Sequence, residues 1–319
     1  MYHYNRGLVR SRLNEVDQAI ESYNTALLKL DENLTDYKYQ ALFNLGICYR
    51  RKGLIDKSIA SLKQAVVIKA DKAAAHNNLA LSLFEKKLYE EALMHYTKAL
   101  SFEPTSVHYN NRGLANYHFE RYEDAKHDFD RALERDPSDP TIYFNRGNVF
   151  LHWKPVQDFS AAHQDYDQAL QLAPNNPKVW HSKGLAFQGE AENLFLQSHQ
   201  YDHPLNEKAI KMYSQALKLQ DNFISSRFHL GLMYHRINQF QEALKCFSKV
   251  LEKISDDKTI YIARGAVYQD MENHLLAIKD FDESVRIDES QSEGYYRRGL
   301  SKYRTMRYHE AVEDFRMAK

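Results

Sequence analysis

The segment NNRGLANYHFERYEDAKHDFDRA, residues 110–132, decides the fold because four of its residues recur along the whole chain. The four are Gly113, Ala125, Phe129 and Ala132, and the last three follow one another at offsets of four and three. Those offsets keep the three side chains on one face of a helix. Equivalent residues appear nine times, with spacings of 39, 34, 33, 34, 37, 47, 34 and 34 in the glycine column.

Two of these columns indicate how helices pack against each other. The glycine column is Gly7, Gly46, Ala80, Gly113, Gly147, Gly184, Gly231, Gly265 and Gly299. The large apolar column is Tyr23, Leu62, Tyr96, Phe129, Tyr166, Tyr213, Phe247, Phe281 and Phe315. We expect the small residues to let two helix backbones approach closely, while the aromatic side chain fills the space between turns.

This pattern resembles the tetratricopeptide repeat, a helix–turn–helix unit of 34 residues, and the resemblance covers essentially the whole chain. It implies an all-α fold, a right-handed α-solenoid superhelix in which each helix pair buries its apolar face against its neighbours. Phe315 and Met317 would leave an open face at the last repeat, so we expect the array to be a segment of a longer protein; the alternative is that a partner completes this surface. We predict a single array over residues 1–319 with repeats at 1–31, 37–70, 73–104, 106–139, 140–175, 177–221, 222–255, 256–289 and 290–319.

Two of the three spacings above 34 mark short insertions between helices. The first insertion lies in LDENLTDYK, residues 30–38, between repeats 1 and 2. The second lies in HWKPVQD, residues 152–158, where Pro155 cannot continue a helix. Both positions predict longer connections and leave the helix pairs themselves unchanged.

The largest insertion occupies about residues 189–204 of repeat 6. We expect the first helix of that repeat to continue through Leu194, Phe195 and Leu196, before a loop broken at Pro204. Apolar residues exposed on such an extension would form a contact patch for a partner. The alternative is that these three side chains fold back on adjacent helices.

The composition excludes several classes of function. With 43 basic and 43 acidic residues the net charge is zero, so we expect neither a nucleic-acid partner nor a membrane partner. No apolar run approaches the roughly 18 residues of a membrane helix. Cys48 and Cys246 are the only cysteines, which indicates a reducing compartment without a disulfide framework. We therefore expect an intracellular, cytoplasmic location.

An arginine directly precedes the glycine in five repeats and indicates an ion pair within the repeat. In four of the five, the residue before the aromatic on the second helix is aspartate, whereas the first repeat combines Arg6 with Ser22. Repeats without the arginine never carry aspartate at that position. We therefore predict structural, bidentate bridges between the two helices of one repeat. The predicted pairs are Arg112–Asp128, Arg146–Asp165, Arg264–Asp280 and Arg298–Asp314.

An asparagine column stands two residues before the glycine column, directly before the arginine position, in the first five repeats. Its members are Asn5, Asn44, Asn78, Asn111 and Asn145. The resemblance implies that first helices line a concave groove and that this column faces it, similar to the asparagine ladder of the O-GlcNAc transferase superhelix and of kinesin light chains. An asparagine both donates and accepts hydrogen bonds, so the row would bind the backbone of an extended peptide. The alternative is that these asparagines brace neighbouring repeats.

Two further columns would border this ladder. Three positions after the asparagine stand Leu8, Ile47, Leu81, Leu114 and Asn148, which we expect to contact the peptide. A basic fringe would be formed by Arg12, Arg50, Arg51, His118 and His152.

The sequence contains no pattern typical of an active site. Nucleotide-binding glycine motifs and Cys/His ligand spacings are both missing from the chain. His199, Asp202 and His203 in the longest insertion are a minor candidate for a metal site, but loop histidines without a further ligand are usually just exposed. We therefore expect a protein that is not an enzyme and that binds neither a cofactor nor a metal.

The leading interpretation is a protein–protein interaction scaffold. It would bind an extended partner segment in the concave groove of repeats 1–5 and offer a second contact surface in repeats 6–9. By family analogy the partner could belong to a larger cytoskeletal or ciliary assembly. One alternative is the recruiting domain of a larger enzyme. Another is a co-chaperone module, which is disfavoured because the lysine position of its carboxylate clamp holds Tyr4, Phe43, Asn77, Asn110 and Phe144.

Overall fold

The computed structural model of the protein describes residues 1–31, 33–198 and 203–319. It divides into two compact units, here called the N-terminal half (residues 1–157) and the C-terminal half (residues 158–319). The described residues form an all-α solenoid of helix hairpins, in agreement with the predicted fold class.

The N-terminal half contains nine α-helices and one short 3-10 helix within its described residues. The α-helices are α1 Tyr2–Arg12, α2 Val16–Lys29, α3 Thr35–Arg51, α4 Ile55–Ile68, α5 Ala73–Glu85, α6 Tyr89–Phe102, α7 Ser106–His118, α8 Tyr122–Arg135 and α9 Pro140–His152. The 3-10 helix, Lys154–Val156, lies in the second insertion, directly after the end of α9.

The C-terminal half contains a further nine α-helices within its described residues. They are α10 Phe159–Leu172, α11 Pro177–Ser198, α12 His203–Leu219, α13 Ile224–Arg236, α14 Phe240–Leu251, α15 Lys258–Asp270, α16 His274–Ile287, α17 Ser292–Arg304 and α18 Tyr308–Met317. None of the described helices has the length and apolarity that crossing a bilayer requires.

The glycine column marks the closest approach of the two helices of a repeat. A Cβ atom added to Gly113 would lie 2.9 Å from Cε1 of Phe129, whose side chain is fully buried. The corresponding distance from Gly265 to Cε1 of Phe281 is 2.7 Å. The aromatic ring therefore occupies the volume that a side chain on the first helix would need.

The turns inside the repeats use left-handed residues that are mostly not glycine. Lys87 has φ of 65°, Glu120 of 57° and Met306 of 63°, whereas glycine takes this role only at Gly53 among the described turns. A left-handed conformation costs a residue with a Cβ about 1–2 kcal/mol. These turns therefore hold local strain that packing of the two helices offsets.

The hydrophobic core runs between consecutive hairpins within each half. In the N-terminal half, Tyr23 of α2 belongs to one cluster with Ala41 and Leu45 of α3. In the C-terminal half, Phe247 of α14 belongs to one cluster with Ile260 of α15. At these two junctions a repeat completes its core with the next repeat, as expected for a solenoid.

The longest insertion extends the first helix of repeat 6. Helix α11 has 22 residues, and it runs through Leu194 and Leu196 to Ser198 as expected. The expectation of a loop broken at Pro204 is wrong, because α12 begins at His203 and Pro204 lies in its first turn. Proline is favoured there because its fixed φ suits a helix and the first N–H groups lack helical partners anyway.

Candidate functional site

The asparagine column occupies equivalent positions on α1, α3, α5, α7 and α9 of the N-terminal half. Exposure falls along the row: Asn5 is exposed, Asn44, Asn78 and Asn111 are half-buried, and Asn145 is buried. The column therefore presents its first four members to solvent more than its last one.

Three of these asparagines hydrogen-bond to the preceding repeat. Asn111 donates from Nδ2 to Oδ1 of Asn77 at 2.9 Å, and Asn145 donates in the same way to Asn110 at 3.0 Å. Asn44 approaches the hydroxyl of Tyr4 at 3.5 Å, the limit for such a bond. The acceptor always stands directly before the ladder position of the previous repeat. The alternative considered from the sequence, bracing of neighbouring repeats, is thus seen in these contacts.

Asn78 is the exception, and the sequence explains why. The residue before the ladder position in the preceding repeat is Phe43, which has no side-chain acceptor. Asn78 instead donates from Nδ2 to the carbonyl oxygen of Ala74 in its own helix, at 2.9 Å. Whether the acceptor is across the repeat boundary or in the same helix, one N–H of the amide is engaged.

The oxygen atoms of the same amides remain available. No described residue donates a hydrogen bond to Oδ1 of Asn44, Asn78, Asn111 or Asn145. Each amide retains a second N–H as well, because the Nδ2 group carries two. The N-terminal half thus holds a row of amides that are held through Nδ2 and whose Oδ1 atoms are unused.

The residues predicted to border the ladder divide into packed and exposed groups. Leu81 and Leu114 are half-buried and pack against the cores beneath them. Arg50 is paired with Glu85 of the next repeat, at 2.9 Å between Nη1 and Oε1. Arg12, Arg51, His118 and His152 are exposed, and Asn148 is half-buried. In the predicted basic fringe, Arg50 is thus engaged by the next repeat, whereas Arg12 and Arg51 are exposed.

The structure brings together three of the four predicted arginine–aspartate pairs. Arg112 donates through Nε and Nη2 to both oxygens of Asp128, at 2.9 and 2.6 Å. The same two bonds are 2.8 and 2.7 Å long in the Arg264–Asp280 pair. In the Arg298–Asp314 pair they are 2.9 and 2.6 Å long.

Each paired aspartate is almost completely enclosed. Asp128 is 1% exposed, and Asn116 also donates to its Oδ2 at 3.0 Å. The hydrogen bond to this carboxylate raises the pKa of Arg112. These arginines therefore satisfy a buried charge of their own repeat and are not free to bind a ligand. Arg146 and Asp165 lie in different halves, and their pairing stays a prediction.

The arginine column makes a second contact that the sequence analysis missed. Nη1 of Arg146 donates to Asp130 of the preceding repeat at 2.6 Å, and Nη1 of Arg298 donates to Asp282 at 2.7 Å. The acceptor directly follows the aromatic residue of that preceding repeat. The available signal was the acid at this offset, Asp130 before Arg146 and Asp282 before Arg298, whereas Thr97 and Ser248 stand there before Arg112 and Arg264. Arg146 and Arg298 thus form ion pairs with the preceding repeat.

A pair of buried histidines lies next to the ladder and was also missed. The Nδ1 atoms of His76 in α5 and His95 in α6 are 2.9 Å apart, and Nε2 of His76 lies 3.0 Å from the carbonyl oxygen of Ala70. A carbonyl only accepts, so His76 donates from Nε2 to Ala70. Burial lowers the pKa of His95 to about 4. His95 is therefore uncharged at neutral pH.

The residues predicted on the repeat 6 insertion are placed only in part. Leu194 is 38% exposed and Leu196 is 72% exposed, whereas Phe195 is half-buried. His199 and Asp202 lie outside the described residues. Within residues 1–31, 33–198 and 203–319, no group of three or more histidine, cysteine, aspartate or glutamate side chains could hold a metal ion.

Comparison with known proteins identifies the repeat along most of the chain. Family models described as tetratricopeptide repeat match residues 4–73, 73–106, 110–177, 224–252 and 259–291. A tetratricopeptide repeat protein from Parabacteroides merdae has a similar structure, with a TM-score of 0.59 and 16% identity, over 86% of this chain and 99% of that one. At this identity the likeness shows the fold alone.

This chain is similar to parts of two much longer curated proteins. Mouse Sperm-associated antigen 1 is 30% identical over 133 residues, which are 41% of this chain and 14% of the relative. Human Protein O-mannosyl-transferase TMTC3 is 24% identical over 308 residues, which are 92% of this chain and 32% of the relative. The chain therefore spans less than a third of the length of either relative.

Proposed function

Because the chain belongs to the tetratricopeptide-repeat family, we propose that it is a non-catalytic scaffold for protein–protein interaction. Its ligand is an extended segment of a partner protein, which lies along the first helices of repeats 1–5. The observation that carries this proposal is the row of ladder amides with unused Oδ1 atoms. An extended peptide offers backbone N–H groups along its length, and such acceptors pair with them regardless of side chains.

The cross-repeat bonds support a binding role for the ladder. A side chain that is already ordered loses less conformational entropy when it binds a ligand. The bonds from Asn111 to Asn77 and from Asn145 to Asn110 hold two amides in place before any peptide arrives. Bracing of neighbouring repeats and peptide recognition are therefore compatible uses of the same residues.

The test is a measurement of peptide affinity with and without the ladder. Random heptapeptides displayed on phage are selected on the chain, and an enriched peptide is synthesised with a fluorescent label. We expect the variant Asn44→Ala/Asn78→Ala/Asn111→Ala to bind that peptide at least about tenfold more weakly, because several hydrogen bonds of about 1 kcal/mol each are lost.

The matched control is Asn175→Ala/Asn222→Ala, which removes two exposed asparagines outside the ladder. Circular dichroism of each variant establishes that the helices are retained. Equal affinity of the folded ladder variant and the control variant would refute the role of the ladder.

A second candidate is a recruiting domain within a larger enzyme. The observation in its favour is the similarity to human Protein O-mannosyl-transferase TMTC3 over 92% of this chain. The complete coding sequence of the gene decides between the two, because a catalytic domain encoded in the same reading frame would support the second candidate.

A co-chaperone role is disfavoured by the contacts of the clamp position. Asn77 and Asn110 stand where a carboxylate clamp requires lysine, and their Oδ1 atoms accept from the next repeat. An acidic C-terminal peptide would find no cation at these two positions. We expect no measurable binding of such a peptide by fluorescence anisotropy.

The proposal includes a second contact surface in repeats 6–9 and a cytoplasmic location. Cys48 and Cys246 are both buried and free, which is compatible with a reducing compartment. A cytoskeletal or ciliary assembly is the larger partner that family analogy favours. Imaging of the tagged protein against tubulin and ciliary markers tests this part.

A further inference from the structure

The C-terminal half contains an open crevice of about 230 Å³ between repeats 7 and 8. Its apolar lining includes Phe228 of α13, Val250 of α14 and Ile260 of α15, together with Ile224 and Ile254. Val250 and Ile260 are 1% and 3% exposed, and the Phe228 ring is held by Phe247 at a centroid distance of 5.7 Å. The crevice is therefore built from fixed core side chains.

The polar rim of the crevice consists of acceptors and hydroxyl groups. His229 stands at the position equivalent to the ladder asparagines. Asp257 directly precedes α15, and Thr259 lies in the first turn of that helix. Thr259 donates its backbone N–H to Oδ1 of Asp257 at 2.8 Å. No lysine or arginine lines the crevice among the described residues.

A chain of hydrogen bonds fixes the imidazole of His229. Arg236 donates to Oε1 of Glu192 at 2.8 Å, and Gln188 donates to the same oxygen through Nε2 at 3.1 Å. A carboxylate only accepts, so the amide of Gln188 must point its nitrogen toward Glu192. Oε1 of Gln188 then lies 2.9 Å from the Tyr213 hydroxyl and 3.1 Å from Nδ1 of His229.

This orientation decides which nitrogen of His229 carries the proton. A carbonyl-type oxygen can only accept, so His229 donates from Nδ1. Burial lowers the pKa of His229, so its ring is neutral near pH 7 and has a single N–H. Nε2 is therefore an acceptor, and no described residue donates to it.

Glu192, the carboxylate at the start of this series of hydrogen bonds, belongs to the inserted part of α11. Helix α11 has 22 residues, whereas the first helices of repeats 7–9 have 13 residues each. Without the extension, neither Gln188 nor Arg236 would have this carboxylate partner. The insertion thus sets the protonation of a groove residue in the next repeat.

We propose that this crevice binds one aliphatic or aromatic side chain of an extended peptide, and that a backbone N–H of the same peptide donates to Nε2 of His229. This inference rests on the proposed function, because it assigns the second contact surface of repeats 6–9. The apolar lining selects the side chain, and the acceptor selects a backbone N–H. Asp257 disfavours peptides with a carboxylate beside that side chain.

The first experiment selects peptides on the full chain with the ladder removed. Phage-displayed random heptapeptides are enriched on the variant Asn44→Ala/Asn78→Ala/Asn111→Ala. We expect the enriched sequences to share one apolar residue at a fixed position, without aspartate or glutamate next to it. Enrichment of acidic sequences would overturn the proposal.

A filled crevice provides the matched comparison. Thr259→Trp places a large side chain at the rim, and Thr141→Trp makes the same change at the equivalent exposed position of repeat 5. Both threonines donate their backbone N–H to an aspartate at 2.8 Å, so the two sites are closely similar. We expect Thr259→Trp to lower the affinity for the enriched peptide by about tenfold or more and Thr141→Trp to leave that affinity unchanged. Equal binding to both variants would overturn the proposal.

The outcomes separate this inference from the proposed function. Peptides that bind wild type but not the ladder variant would overturn the crevice proposal and leave the ladder in place. If neither wild type nor the ladder variant enriches any peptide, the ladder proposal and the crevice proposal both fail. Peptides that bind the ladder variant, and lose affinity with Thr259→Trp, support the crevice alone.

The second experiment determines directly which ring nitrogen of His229 carries the proton. In the full chain labelled with ¹⁵N-histidine, long-range ¹H–¹⁵N spectra distinguish a protonated from an unprotonated ring nitrogen, and His229→Asn assigns the signal. We expect Nδ1 protonated and Nε2 unprotonated in wild type, with Nε2 shifting when the enriched peptide binds. Glu192→Ala should populate the other tautomer and weaken the peptide. A wild-type ring protonated on Nε2 would refute the role of His229.

Discussion

Asn111 donates a hydrogen bond to Asn77 across a repeat boundary, at 2.9 Å between Nδ2 and Oδ1. The acceptor belongs to the preceding repeat and is only 7% exposed. One bond therefore joins the proposed peptide-binding row to the packing between repeats. Changes to Asn77 should affect stability and binding together.

Replacing Asn77 by alanine should lower the free energy of unfolding by about 1–2 kcal/mol, because Asn111 loses its acceptor in a partly buried site. It should also weaken a ladder-binding peptide, because the Asn111 amide is no longer held in place. Asn78→Ala is the control for stability, since it removes only a bond within one helix. Urea denaturation compares the two variants, and an equal loss in both would contradict the cross-repeat role.

Removing the partner of a buried carboxylate should have a larger effect. Arg112→Ala leaves Asp128 enclosed with only Asn116 as a side-chain donor, which should cost about 3–5 kcal/mol. Arg307→Ala breaks the exposed pair with Glu310 and should cost much less, because solvent screens an exposed ion pair. Chemical denaturation of both variants tests the difference. A small loss for Arg112→Ala would show that the bidentate pair contributes little.

The His76–His95 pair should make the N-terminal half sensitive to acid. The pKa of His95 falls from 6.5 to about 4 on burial. Between these values the unfolded chain binds a proton that the folded chain excludes, so the free energy of unfolding rises with pH. This one group should contribute up to about 3 kcal/mol, which is present above the unfolded pKa and is lost as the pH falls toward 4.

Urea titrations at a series of pH values test this dependence. His95→Gln should flatten the stability profile of the chain in that window, and His127→Gln, at an exposed position, should not. His181 of the C-terminal half also has its pKa lowered by burial to about 4, so some pH dependence should remain in the His95 variant. An unchanged slope in His95→Gln would refute the contribution of the pair.

The left-handed turns allow a stabilising substitution. Glu120 has φ of 57°, and glycine adopts this conformation without a steric penalty. Glu120→Gly should raise the free energy of unfolding by about 0.5–1 kcal/mol, whereas Asn238→Gly should change it by only a few tenths, because asparagine tolerates this region. Thermal unfolding of both variants provides the measurement. Destabilisation by Glu120→Gly would show that the turn is not strained.

The repeat pattern was sufficient to predict the fold because its periodic residues are the packing residues. Gly113 and Phe129 were recognised by their columns, and they meet in the structure. The Arg112–Asp128 contact was predictable for a similar reason, since both residues vary together between repeats of one chain. Contacts within one repeat recur, and recurrence is visible in a single sequence.

Contacts between repeats, and contacts that occur once, were not predictable in this way. The direction of the Asn111 amide depends on Asn77 of another repeat, and Asn78 behaves differently only because Phe43 precedes it. The bond between His76 and His95 follows no column, because no other repeat has this pair. The role of Glu192 depends on an insertion whose register with the next repeat is set by packing.

The arginine column has a consequence for how the junctions respond to their surroundings. In repeats 2 and 3 this column holds Leu45 and Leu79, which are 3% and 1% exposed and belong to the core. In repeats 5 and 9 it holds Arg146 and Arg298, whose links to the previous repeat are ionic and partly exposed. Added salt screens ionic links, whereas cooling weakens apolar contacts. Ionic strength and temperature thus act on different junctions of the same chain. Added salt weakens the junctions with ion pairs, and cooling weakens the apolar junctions.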